Sequence, residues 1–188
     1  MSEKSPEPVS ALRIGVLHAQ VNAELEASGL PYTSLRPTFY MQNTMSAAQT
    51  VASDDMIYMP FKDAKLGMVD MRDIVEATAK VLTTQGHAGQ TYVLTGPAAI
   101  SFYDVASSLS KALGKEVKYV NAPPEAAMEA MIGMGMPKWV AEAFCEYFVN
   151  HSRGVSDFTT NDVEKLTGHP ARSFETFARD YAQVFRKP

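Results

Sequence analysis

The sequence predicts an α/β fold, a small, mostly parallel sheet followed by a helical carboxyl-terminal region, and three observations lead to it. Residues 14–37 read as helix, cap and strand in direct succession. Short runs of aromatic and β-branched residues then alternate with amphipathic helical patterns as far as residue 122, the arrangement that lays strands parallel. From Pro123 onward every apolar spacing is helical. The chain is therefore divided into a lead-in over 1–13, a sheet-bearing portion over 14–122 and a helical portion over 123–188.

The lead-in carries two prolines and little apolar content, and is expected to be mobile. Ile14, Leu17, Val21 and Leu25 recur at intervals of 3, 4 and 4, one apolar stripe of a helix that ends near Ser28, with Gly29 as its left-handed cap. Pro31 excludes further helix, and Tyr32 to Leu35 predicts a strand closed by Pro37. The segment from Thr38 to Ala52 is polar, methionine-bearing and helical in part. Met56–Met59 and Leu66–Val69 read as short strands around the Lys62-Asp63-Ala64-Lys65 turn.

Asp73 and Glu76 have capping-box spacing at the start of a helix whose apolar face is Ile74, Val75, Thr78, Val81 and Leu82, and which stops near Gly86. Gln90–Thr95 predicts a strand. Ser101 and Asp104 cap a helix with Val105, Leu109, Ala112 and Leu113 inward and Gly114 at its end, and Val117–Val120 predicts a further strand. The helical portion is read as 124–132, 137–150, 160–167 and 173–185, with Ser173 as the last cap and Phe174, Phe177, Tyr181, Val184 and Phe185 as a buried stripe. Gly133-Met134-Gly135 is an interhelical turn.

Composition excludes several classes of function. A net charge of −4 without a cluster of Lys and Arg argues against nucleic acid as a partner. No apolar run reaches the roughly eighteen residues of a membrane span, so no membrane partner is expected. The single Cys145 cannot form an internal disulfide, which with the lack of a signal peptide suggests a cytoplasmic setting. The histidines are isolated and no metal site is expected.

Several segments together resemble one family. His18 stands four residues before Asn22; Ser28-Gly29-Leu30-Pro31-Tyr32-Thr33 and Leu35-Arg36-Pro37 follow. Val69-Asp70-Met71-Arg72-Asp73-Ile74 and Thr91-Tyr92-Val93-Leu94-Thr95-Gly96-Pro97 come later in the same order and at the same distances. The sequence resembles the NmrA-like group of atypical short-chain dehydrogenases, from about residue 14 onward. The resemblance implies a Rossmann-like sheet and an NAD(P)-dependent oxidoreductase acting on a quinone or another small unsaturated or carbonyl compound. Its alternative is a non-catalytic, dinucleotide-sensing regulator.

Family members open with a strand, a glycine-rich turn and a helix that cradle the dinucleotide pyrophosphate. The eleven glycines here are scattered and form no such turn. The expectation is a partial Rossmann-like sheet, truncated and lacking the glycine-rich first half. NAD or NADP is implied by the resemblance, and whether this chain alone holds it is left open. A half sheet has an uncovered edge, so a homodimer is expected, through sheet-edge pairing or exchange of the amino-terminal helix.

The resemblance places His18 near the position of the family's catalytic lysine, although no Tyr-x-x-x-Lys accompanies it; the other reading is a partly exposed helix histidine. Arg36, Pro37, Phe39 and Asn43 are the cofactor-lining candidates, against a structural ion pair for Arg36 and packing for the aromatics. Met41, Met131 and Met134 are candidates for an adaptable substrate wall, against simple core packing. Asp70 and Asp73 could serve acid/base work, but a strand-to-helix junction explains them as dipole-complementing caps. Cys145, mid-helix in apolar company, is read as inert.

Overall fold

The computed structural model describes residues 13–186, so the predicted lead-in lies outside the described residues apart from Arg13. Helix α1 (Arg13–Ala27) precedes β1 (Ser34–Pro37); a 3-10 segment (Met41–Ala47) leads into α2 (Ala48–Asp54) and β2 (Met56–Met59). Next come α3 (Met71–Thr83), β3 (Thr91–Leu94), α4 (Phe102–Leu113) and β4 (Lys118–Asn121). The helical portion is α5 (Pro124–Gly133), α6 (Lys138–His151), α7 (Asp162–Thr167), α8 (Phe174–Asp180) and a closing 3-10 turn (Ala182–Phe185).

All strand pairing between named strands is parallel, as expected, but the sheet is split. β1 pairs with β3, Leu35 opposite Tyr92, and β2 pairs with β4, Ile57 opposite Tyr119. Two single bridges lie outside these strands, Tyr40 with Val69 and Leu66 with Ile100. The predicted strand over 66–69 shrinks to these bridges because the Met68 N–H turns back to the Leu66 carbonyl at 2.8 Å, and the Gly67 N–H is taken by Ser156. A bent backbone cannot run a ladder on either side.

On α1 the helix forms as read and ends at Ala27, with Ile14 and Leu25 of the stripe half-buried and Leu17 and Val21 exposed. Readings on two other helices are corrected. The α3 cap is Asp70, whose carboxylate accepts the Arg72 N–H at 2.9 Å; Asp73 sits one turn in and is not part of a capping box with Glu76. On the same helix Val75 and Leu82 are exposed and Ala77 is buried, so the inward face is rotated from the predicted one. The last helix stops at Asp180, and the 3-10 turn after it still delivers Phe185 to the core while exposing Val184. Elsewhere the caps stand as read: Ser101 and Asp104 form a reciprocal box, Gly114 closes α4 at φ 69°, and Ser173 accepts from Thr176.

The main core is aromatic. Phe61 stacks on Phe102 with centroids 5.1 Å apart, and Phe39 and Phe148 meet Phe61 edge-on at 5.5 and 5.3 Å. Phe174, Phe177 and Phe185 close it from the carboxyl-terminal side, so the helical portion and the sheet-bearing portion share one interior. Among the described residues no helix is long and apolar enough to cross a membrane.

Candidate functional site

In parallel sheets ligands gather beyond the carboxyl ends of the strands. Here β1 and β3 end side by side, Pro37 opposite Leu94. The Thr38 N–H donates to the Leu94 carbonyl at 3.0 Å, and its hydroxyl donates to the Gly67 carbonyl and, at 3.2 Å, to Leu94. Gly96 is held so close to this junction that an added Cβ would stand 2.1 Å from the Met68 carbonyl oxygen. Only a glycine allows the two segments that approach. Met41 then bonds through its N–H to Val69, and its buried side chain lines a cleft of about 310 Å³ with Met68, Pro97, Ile100 and Phe174.

The sequence candidates distribute unevenly around this strand end. Pro37 is half-buried at the last position of β1. Phe39 is a core residue, edge-on to Phe61 and Phe102, which realises the packing reading of the aromatics. Arg36 is exposed and reaches only the Ser34 hydroxyl at 3.4 Å; it makes no ion pair among the described residues. Asn43 is exposed on the 3-10 segment, with its N–H on the Tyr40 carbonyl. His18 is exposed on α1, and no hydrogen bond, ion pair or ring contact joins it to Pro37, Phe39 or Asn43. Met131 is half-buried on α5, Met134 is 78% exposed just past it, and neither lines the cleft that Met41 lines.

Asp70 and Asp73 are both buried and both committed to the fold. Asp70 accepts from Gln42 and Arg72, and Asp73 from Arg172. Hydrogen bonds from Arg72 and Gln42 hold the Asp70 carboxyl below its ordinary value against the upward push of burial. Burial raises the Cys145 thiol, as its inert reading requires. Among the described residues no group of three His, Cys, Asp or Glu side chains could hold a metal ion.

One pair escaped the sequence reading. On α6 the His151 ring stacks on the Tyr147 ring with centroids 3.7 Å apart, and its Nδ1 lies 2.8 Å from the Tyr147 carbonyl oxygen. A carbonyl only accepts, so Nδ1 carries the proton and Nε2 is left as an acceptor. Burial lowers the His151 pKa and keeps the imidazole neutral; burial also raises the Tyr147 phenol, with the Tyr40 phenol adding to the shift. The stack thus sets a phenol that burial keeps protonated against a neutral imidazole, the only bond between the two residues being that from Nδ1 to the Tyr147 main chain. The only signal in the sequence is Tyr-x-x-x-His inside an otherwise apolar helical pattern.

The family model described as the NmrA-like family matches residues 17–178. The chain belongs to the NmrA-like family. It is 38% identical to the NAD(P)H azoreductase of Xenophilus azovorans over 95% of this chain and 62% of that protein. To quinone oxidoreductase 2 of Escherichia coli it is 28% identical, over 94% of this chain and 60% of that one. The structure of the latter enzyme complexed with NADPH superposes with a TM-score of 0.81 at 27% identity, over 90% of this chain and 60% of that one. The chain thus spans about three fifths of the length of the relatives it matches.

A dinucleotide would need a seat for its pyrophosphate. The described residues form no such cradle: the glycines at positive φ, such as Gly29, Gly114 and Gly168, follow helices rather than opening them after a strand.

Proposed function

We propose that this chain is the substrate-side portion of an NAD(P)H-dependent reductase whose substrate is a small conjugated electron acceptor of the quinone class. The observation that carries the reading is the 38% identity to an NAD(P)H azoreductase over 95% of the chain. The likeness to a quinone oxidoreductase solved with NADPH supports it. Quinones and azo compounds are both flat, conjugated two-electron acceptors, so one kind of apolar pocket with a proton donor serves either.

In this reading Arg36, Pro37, Phe39 and Asn43 surround the nicotinamide end of NAD or NADP, with Phe39 acting from the core beneath. Met41 walls the substrate, whereas Met131 and Met134, which lie outside the cleft that Met41 lines, take no part in that wall. Reduction by hydride leaves an oxygen or nitrogen that must take a proton. His18 was the sequence candidate for that role. Tyr147 is assigned to it instead, because its phenol is largely buried and stacked on His151 whereas His18 is exposed.

The second edge of β1, opposite β3, has no partner strand among the described residues, and α1 exposes Val16, Leu17 and Val21 beside the helical portion. A homodimer that covers these surfaces follows from the same reading, and light scattering on dilution through the micromolar range tests it: a folded monomer throughout removes it. A cytoplasmic location follows from the free Cys145.

The reading is tested by titrating NADPH and following nicotinamide fluorescence together with that of Trp139, the single tryptophan. Saturable binding is expected. No binding at millimolar NADPH would overturn the assignment of the cofactor end to this chain.

A further inference from the structure

The α5–α6 pair carries a second cleft that the reductase reading does not use. It measures about 370 Å³ and is lined by Met128, Cys145, Val149, Asn150 and Arg153, with Glu142 and Glu146 at its border. That volume is within the range of small-molecule sites. The two carboxylates do not make it an anionic hole, since Arg13 of α1 bridges both, at 2.9 Å to Glu142 and 2.8 Å to Glu146.

What sets the cleft apart is Asn150. It is only 6% exposed, and its side-chain NH2 is the one buried side-chain polar group without a hydrogen-bond partner among the described residues. A buried amide donor left unpaired costs folding free energy, and a packed helix offers no strain or turn to explain it. The terminal torsion of an asparagine is two-fold, so a half-turn that exchanges its oxygen and NH2 offers the donor to the cleft that Asn150 lines. Arg153, just past the end of α6, lines the same cleft as a second donor and makes no ion pair among the described residues. The rest of the wall is thioether, thiol and methyl, and the thiol is kept protonated by burial.

We infer that this cleft binds a small, flat, mostly apolar molecule bearing a carbonyl oxygen, which accepts from the Asn150 amide while its body lies on Met128, Cys145 and Val149. The unpaired donor then has a function: it is satisfied only when the ligand is present. The inference stands on the cleft and on Asn150, and does not depend on the reductase reading.

The test uses 2-acetonaphthone and its carbonyl-free analogue 2-ethylnaphthalene, neither of which transfers electrons, titrated by calorimetry into the full chain without NADPH. The ketone should bind saturably and about two- to tenfold more tightly than the hydrocarbon, the span of one neutral hydrogen bond. Asn150→Leu should abolish that difference without lowering the melting temperature, because it removes an unpaired donor and fills the same space. Met128→Trp, at a half-buried wall position, should block both ligands and keeps the test open if Asn150→Leu does not fold. Equal affinity for ketone and hydrocarbon, unchanged ketone binding in either variant, or no saturable ketone binding to the unaltered chain would each overturn the assignment.

Discussion

Arg172 donates its backbone N–H to the buried carboxylate of Asp73 at 2.8 Å and adds its guanidinium to the same group, while its second arm reaches Glu76 at 2.6 Å. One residue thereby ties the segment ahead of α8 to the first turn of α3, joining the helical portion to the sheet-bearing one. Asp73 is buried with these bonds as its compensation. Removing the arginine strands a buried charge, so Arg172→Ala should cost roughly 3 kcal/mol of unfolding free energy. Denaturant unfolding checks this, with a smaller loss expected from Asp73→Asn, which leaves Arg172 paired with Glu76.

His169 extends the same network. Its Nε2 lies 2.7 Å from the Glu76 carboxylate and its Nδ1 2.9 Å from the Pro170 carbonyl, so both ring nitrogens face acceptors and the imidazolium is favoured. The Pro170 carbonyl and then Glu76 raise its pKa above the ordinary histidine value. A raised value in the folded state means stability that is fully present below about pH 6.5, the unfolded value, and is lost as pH climbs through the folded one. The melting-temperature difference between the unaltered chain and His169→Ala should therefore be largest at mildly acidic pH and shrink toward pH 8. A difference that grows with pH would contradict the assignment.

Phe177 is fully buried between Phe174 and Tyr181, with ring centroids 5.2 and 4.8 Å away. Phe177→Ala should cost about 3–5 kcal/mol and lower the melting temperature by on the order of 10 °C. If α8 were a lid used only for ligand, the melting temperature would hold while ligand binding weakened.

Much of this architecture was legible in the sequence because its signals are local. The Ser101–Asp104 box, the Ser173 cap and the Gly114 terminus each depend on a few adjacent residues, and all three stand where their spacing put them. The failures are non-local. Nothing near Leu17 or Val21 says what lies against α1, where both are exposed. The bend at Gly67–Met68 that divides the sheet comes from Ser156 and Phe158, some ninety residues away.

The site was legible in the same partial way. Pro37 and Met41 lie at the strand end because the strand itself was readable, whereas the Tyr147–His151 stack exists only once α6 is buried against the core. Before folding, these two residues are indistinguishable from helix filler. Their shifted pKa values come from desolvation, which no spacing records.

Tyr147 also offers a direct check on the proton role. Tyr147→Phe keeps the ring that stacks on His151 and removes the phenol, so folding and NADPH binding should be unchanged while any turnover falls by about 10²-fold or more. Loss of binding instead would mark Tyr147 as structural.

The measurement that bears most directly on the central claim is the initial rate of NADPH oxidation by the chain with menadione as acceptor, set against a blank without protein. The account predicts a rate above the blank that saturates in quinone and depends on NADPH. Saturable NADPH binding with oxidation no faster than the blank would contradict it, and would make the chain a dinucleotide-binding protein rather than part of a reductase.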